Sequence, residues 1–139
     1  MALLAEEVVE EWLNRNGYFT IRGIKVGVDE IDILAIRPTQ DGQHECRHVE
    51  VTVSINPISY ITKVPADIRK QKGIAAHNAK KRDIDQLKDG VREWIESKYN
   101  LPRKVALKQQ LCSGSWTREL VVWKVKHIEE VDLKKNVEF

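Results

Sequence analysis

Asp32 and Glu50 fall in two stretches of alternating pattern, Glu30–Arg37 and about His44 to Ile55, separated by Gln40-Asp41-Gly42-Gln43. Asp-Gly is the favoured hairpin pair, so the stretches are expected to pair as neighbouring strands. Side chains alternate across a strand, which puts Glu30, Asp32 and Leu34 on one face of the first. His48, Glu50, Thr52 and Ser54 share one face of the second. Pairing through the turn brings Asp32 and Glu50 together on a polar face. Two carboxylates on adjacent strands suit a hard divalent cation, Mg2+ or Mn2+, with waters completing its octahedron. Such an ion can neutralise charge developing on a scissile phosphate. The same spacing also describes the wet face of an antiparallel sheet, and spacing alone leaves both readings open.

Three groups of elements would hold these residues. Residues 3–15 read as an amphipathic helix, with Leu4, Ala5, Val8, Val9, Trp12 and Leu13 on its apolar stripe and Asn16-Gly17 as the stop. Tyr18–Val26, Glu30–Arg37 and His44–Ile55 then form a three-stranded meander. Asn56–Pro65 reads as a loop, Ala66–Lys80 as a helix, and Asp83–Tyr99 as the clearest helix, with Asp83 and Gln86 resembling a capping box. Leu101-Pro102 ends it, and Lys104–Cys112 and Glu119–Ile128 are expected as two further strands. The order α-βββ-αα-ββ is a mixed sheet flanked by helices, an α/β fold.

The chain has 139 residues, 42% of them hydrophobic and 32% charged, which suits one domain, 1–139, with a buried core. Its net charge of +2 conceals an asymmetry. Met1–Thr62 holds five basic and ten acidic residues, whereas Lys63–Lys108 holds thirteen basic and six acidic. The acidic part suits a metal site or a solvated face; the basic part suits phosphate or simple solubility. The longest uncharged run, Val51–Thr62, is shorter than the ~18 residues of a membrane-spanning helix. The first residues lack the cationic region of a secretory signal, so a cytoplasmic location is expected. Cys46 and Cys112 make no disulfide framework and are expected to pack in the sheet.

Glu6 on the first helix, Gly17-Tyr18-Phe19-Thr20-Ile21-Arg22, Gly27, Asp32-Ile33-Leu34-Ala35 and His48-Val49-Glu50-Val51 follow one another in an order that resembles the PD-(D/E)xK nuclease superfamily. The layout is most similar to its Holliday-junction resolvase and Mrr-like branches, and residues 4–55 carry nearly all of the likeness. The resemblance implies a restriction-endonuclease-like fold with an αβββαβ core. It also implies that Asp32 and Glu50 are the two metal carboxylates and Glu6 an accessory helix glutamate.

One position departs from that pattern. The signature has a lysine two residues after the second carboxylate, and this chain has Thr52, whose hydroxyl can bond water but brings no charge. Some members supply the lysine from the following helix. Within Ala66–Lys80, Gln71 and Lys72 share the apolar side with Ile68, Ala75 and Ala76, which nominates Lys72, against the alternative of a boundary lysine reaching solvent. Gln71 matches, more loosely, a helix glutamine of several branches. His48 reads as a neighbour of Glu50 placed to meet bound water or phosphate, or as a partly buried histidine. His44, Cys46 and His48 alternate in a way that could hold zinc, but no fourth ligand is evident.

Lys80, Lys81 and Arg82, with Arg69, Lys70 and Lys88, could contact phosphates without reading sequence; a solvated turn between helices explains them equally well. Trp12, Trp94 and Trp123 lie on apolar stripes and are expected in the core, leaving Trp116 as the exposed aromatic. Together these readings point to a metal-dependent endonuclease acting on DNA, with its lysine relocated. The alternative is a catalytically inactive module of the same fold that binds nucleic acid or a protein partner. DNA is the expected partner, and a homodimer would suit cleavage of two strands.

Overall fold

The computed structural model describes residues 2–58, 84–125 and 130. Contacts gather the chain into two units: Met1–Ser54 with Lys98–Trp123, and Ile55–Ser97 with Lys124–Phe139. The elements are α1 (Ala2–Arg15), β1 (Phe19–Val26), β2 (Asp29–Pro38), β3 (His44–Ile58), α2 (Ile84–Lys98), α3 (Pro102–Leu111) and β4 (Trp116–Val125). The strands form one mixed sheet in the order β1-β2-β3-β4, giving the expected α/β class. No helix among the described residues is long and apolar enough to cross a membrane.

Helix α1 ends where its sequence directs. Gly17 adopts φ +87°, its N–H donates to Asn14 O, and the Tyr18 N–H donates to Leu13 O. These are the two bonds of a Schellman cap, and they turn the chain straight into β1. Strands β1 and β2 pair antiparallel from Phe19 opposite Ile36 to Val26 opposite Asp29. Strands β2 and β3 pair antiparallel around the Asp41-Gly42 turn, from Pro38 opposite His44 to Ile33 opposite Val49.

The alternation of β2 and β3 supplies two different faces. On one, Ile33, Ala35, Val49 and Val51 join Leu13 and Tyr18 in a buried core, with Ala5, Val9 and Val53 packed against it. Each large aliphatic side chain buried there is worth about 1.5–3 kcal/mol. The same core leaves Leu4, Val8 and Trp12 outside. They lie one residue before Ala5, Val9 and Leu13, about 100° around the helix, and are more than half exposed. Trp12 is therefore not core, as its stripe suggests; its ring lies beneath the Arg47 guanidinium, which is paired with Glu119 of β4. Trp94 is buried as expected. Trp116 is half-buried rather than exposed, because it opens β4 and donates its indole N–H to Cys112 O (3.0 Å). The placement expected for the Trp123 side chain falls outside the described residues.

The largest difference from the sequence pattern lies at 102–111, which is a helix and not a strand. Val105, Leu107 and Leu111 all fall on odd positions and imitate one face of a strand. However, Pro102 opens a helix as readily as it closes one, since its missing N–H is not needed in the first turn. Ala106, Leu107, the lysines and the glutamines that follow are all good helix formers. Lys104 and Lys108, one turn apart, take the buried side of α3. Cys112, expected within that strand, is instead the C-cap of α3, its N–H donating to Lys108 O (2.9 Å). Strand β3 also runs on to Ile58, through part of the expected loop, because Pro57 is compatible with extended backbone. Strand β4 begins three residues earlier than the pattern suggested.

In the second unit, α2 buries Leu87, Gly90, Val91, Trp94 and Ile95 on one side, the three-and-four spacing of an amphipathic helix. Asp85 in its first turn and Lys98 in its last complement the helix dipole. The helix expected over Ala66–Lys80 lies outside the described residues.

Candidate active site

Extending the β2–β3 register by one residue beyond Ile33 and Val49 sets Asp32 opposite Glu50. At that point carboxylates take over from the backbone ladder. The Asp32 N–H donates to Glu50 Oε2 and the Val51 N–H donates to Asp32 Oδ2, both at 2.8 Å. Each side chain thus holds the opposite strand, and the pair occupies the fork where regular pairing stops. Two main-chain donors fix the carboxylates in orientation, an arrangement that longer, freely rotating carboxylates on a surface do not achieve.

The electrostatics of the fork are unfavourable without a cation. Burial raises the Glu50 carboxyl above the usual carboxylate range despite the bond from Asp32. Burial also raises Asp32, and the charge of Glu50 adds to it. Glu6, buried on α1 beside Ala5, is raised by burial and then by Asp32 and Glu30. Three acidic groups therefore resist ionisation together. Lys98 opposes this for both Asp32 and Glu50, and Lys104 does so for Glu50.

Glu50 Oε1 is buried and has no hydrogen-bond partner among the described residues. A carboxylate oxygen left so in a protein interior calls for a cation or an ordered water. The donor chemistry fits a hard divalent cation, with Glu50 Oε1 and the Asp32 oxygen that does not accept from Val51 as ligands and waters for the rest. Among the described residues no three His, Cys, Asp or Glu side chains converge on one ligand position. Water would therefore carry most of the coordination, and the zinc grouping of His44, Cys46 and His48 is not formed.

Helix α3 brings the cations. The Lys104 side chain is almost wholly buried and its ammonium donates to Lys98 O (3.1 Å). Burial lowers its pKa, and the charge of Glu50 is the largest influence in the opposite direction. One turn later, Lys108 Nζ donates to Tyr99 O (2.9 Å) and lies 3.2 Å from His48 Nδ1. An ammonium has no lone pair, so Nδ1 accepts and the imidazole proton is assigned to Nε2. That nitrogen is 3.5 Å from Glu50 Oε2, outside hydrogen-bond geometry. Burial, followed by the charges of Lys108 and Lys104, lowers His48 to a pKa of about 3. Burial brings Lys108 down to about 8. Tyr99 stacks at a tilt on His48, ring centroids 4.6 Å apart.

Of the residues nominated from sequence, Asp32, Glu50 and His48 come together, and Glu6 lies near enough for the charge of Asp32 to act on it. Thr52 is half-buried on β3, two residues past Glu50. Lys70, Gln71, Lys72, Lys80, Lys81 and Arg82 lie outside the described residues. Lys104 and Lys108 were missed. Their only signal was the four-residue spacing of two lysines after a proline, which the strand-like alternation concealed. No family model, curated protein or solved structure matches the chain.

Proposed function

We propose that the chain is a PD-(D/E)xK-type, metal-dependent endonuclease that hydrolyses phosphodiester bonds of DNA. The observation that carries this reading is the Asp32–Glu50 fork, whose two carboxylates are oriented by each other's strand and whose Glu50 Oε1 is buried without a partner. Asp32 and Glu50 would hold Mg2+ or Mn2+, with Glu6 nearby. The ion would supply Lewis-acid stabilisation of the charge that develops on a scissile phosphate. Lys104 would bring the positive charge that Thr52 lacks, from α3 instead of β3. It would steady Glu50 as a carboxylate. His48, neutral at physiological pH, would donate from Nε2 and add no charge.

The test is incubation of purified protein with plasmid, branched and single-stranded DNA in Mg2+ or Mn2+, beside an Asp32→Ala control. Metal-dependent cleavage lost in that control supports the reading; no cleavage above the control overturns it. Thr52 favours the second reading, a non-catalytic module of the same fold. That reading expects salt-sensitive DNA binding that survives both Asp32→Ala and Glu50→Ala.

A further inference from the structure

Cys46 and Cys112 are the only cysteines of the chain, 66 residues apart, and their sulfurs meet at 2.7 Å. Cys46 is buried on β3, on the face that carries His48 and Glu50. Cys112 caps α3 and is half-buried. It lines a cavity of about 380 Å³ together with Ile36, His44, Gln109, Leu111 and Ser113. A small solute entering that cavity therefore reaches Cys112 and finds Cys46 directly behind it.

We infer that Cys46 and Cys112 form a reversible disulfide, made by a small peroxide that enters the cavity at Cys112. The two thiols are already asymmetric. The Cys46 thiol donates to Cys112 Sγ, and burial followed by that bond pushes Cys46 up to about 12. Cys46 is buried, whereas Cys112 lines the cavity and is the sulfur an entering peroxide meets first, which makes Cys112 the attacking sulfur. Its thiolate attacks one peroxide oxygen, the O–O bond breaks, hydroxide leaves and Cys112 becomes a sulfenic acid. The sulfur is oxidised by two electrons and the peroxide reduced by two. Cys46 then attacks that sulfur. The S–S bond forms, the S–O bond breaks, and the Cys46 proton leaves with the oxygen as water. Closing the sulfurs to about 2.05 Å needs only a small side-chain shift. The bond joins the C-terminus of α3 to β3 and anchors the helix that carries Lys104 and Lys108 over the strand of His48 and Glu50. This assignment does not depend on the nuclease reading.

The experiment treats the reduced full chain with a small excess of hydrogen peroxide, then unfolds it in denaturant, counts thiols by maleimide labelling and maps a digest without reductant. The expected result is a fall from two labelled thiols per chain to none, restored by dithiothreitol. One peptide pair linked through Cys46 and Cys112 should accompany it, in a monomeric product. Its melting temperature should rise by roughly 5–10 °C, since the link closes a long loop. Chains linked to one another, Cys112 oxidised to sulfinic acid beside an intact Cys46 thiol, or a linked chain that melts lower would each overturn the assignment. In Cys112→Ser, Cys46 should stay labelled at the same dose. Oxidation of Cys46 there at the wild-type rate would overturn the role given to Cys112.

Discussion

Lys108 Nζ lies 3.2 Å from Nδ1 of His48, although 60 residues separate them in the chain. The contact belongs to a ladder of three. Cys112 meets Cys46, Lys108 meets His48, and the charge of Glu50 acts on Lys104. Steps of four residues along α3 thus answer steps of two along β3, in the reverse direction. Four helical residues rise about 6 Å. Two strand residues rise about 6.7 Å. Near-equality of the two keeps a helix and a strand in register over two turns. Two lysines occupy the helix positions facing the strand, and the acidic fork makes their burial tolerable.

The first prediction concerns His48. Its pKa of about 3 is set by burial and then by Lys108 and Lys104, opposed by Asp32. A histidine depressed in the folded state contributes stability above its unfolded value near 6.5, and that contribution is lost as pH falls toward 3. Lys108→Met removes one cation and leaves the burial. The His48 pKa should rise by at least about 1 unit while staying below 6.5. An NMR titration of the imidazole Cε1–H measures this, and an unchanged value would mean that Lys108 does not face His48 in solution.

How far such a site can be read in advance depends on whether its chemistry follows the local period. Asp32 and Glu50 obey the alternation of their strands, so parity and an Asp-Gly turn suffice to place them together. Glu6 borders the Ala5–Val9–Leu13 stripe and is placed by helical spacing. Lys104 and Lys108 break the rule that charges face water, because what they face, the charge of Glu50 for Lys104 and the His48 ring nitrogen for Lys108, belongs to a strand over 50 residues earlier. No local pattern records that compensation. Trp12 shows the converse: a stripe tells which side of a helix is apolar, but the sheet decides how much of that side it covers.

The second prediction tests the fork as a cation site. Asp32 and Glu50 both have raised pKa values. A carboxyl raised in the folded state contributes stability below its unfolded pKa, and this is lost as pH rises through the folded value. At neutral pH each charge is therefore a liability when no ion is bound. Asp32→Asn and Glu50→Gln should each gain about 1 kcal/mol at pH 7.5 in the presence of a chelator. Wild-type protein should gain about 2.7 kcal/mol from Mn2+ at a hundred times its dissociation constant, and the variants none. Thermal melts with and without Mn2+ provide both numbers. Variants that respond to Mn2+ as wild type does would place the ion elsewhere.

A third prediction separates two candidate lysines. If Lys104 supplies the charge missing at Thr52, Lys104→Met should lower Mn2+-dependent cleavage by about 100-fold or more while leaving DNA binding at moderate salt intact. Lys104→Arg, which keeps the charge in a different shape, should recover part of the loss. Lys72→Met serves as the comparison. Cleavage rates that fall with Lys72→Met and not with Lys104→Met would assign the lysine to the 66–80 segment.

The last prediction addresses the support beneath the site. Gly27, in the turn between β1 and β2, has φ +65°, and a Cβ there would stand 2.6 Å from Nη1 of Arg103 on α3. Two costs are therefore combined in Gly27→Ala: left-handed backbone strain of about 1–2 kcal/mol, and a contact that the flexible arginine can relieve by moving. A double-mutant cycle with Arg103→Ala separates them, because removing the arginine abolishes the contact and leaves the strain. Urea melts should show Gly27→Ala destabilised by about 1–2 kcal/mol, and by nearly the same amount when Arg103 is absent. If the loss disappears with Arg103→Ala, the clash is the dominant cost and the turn does not depend on a glycine for its conformation.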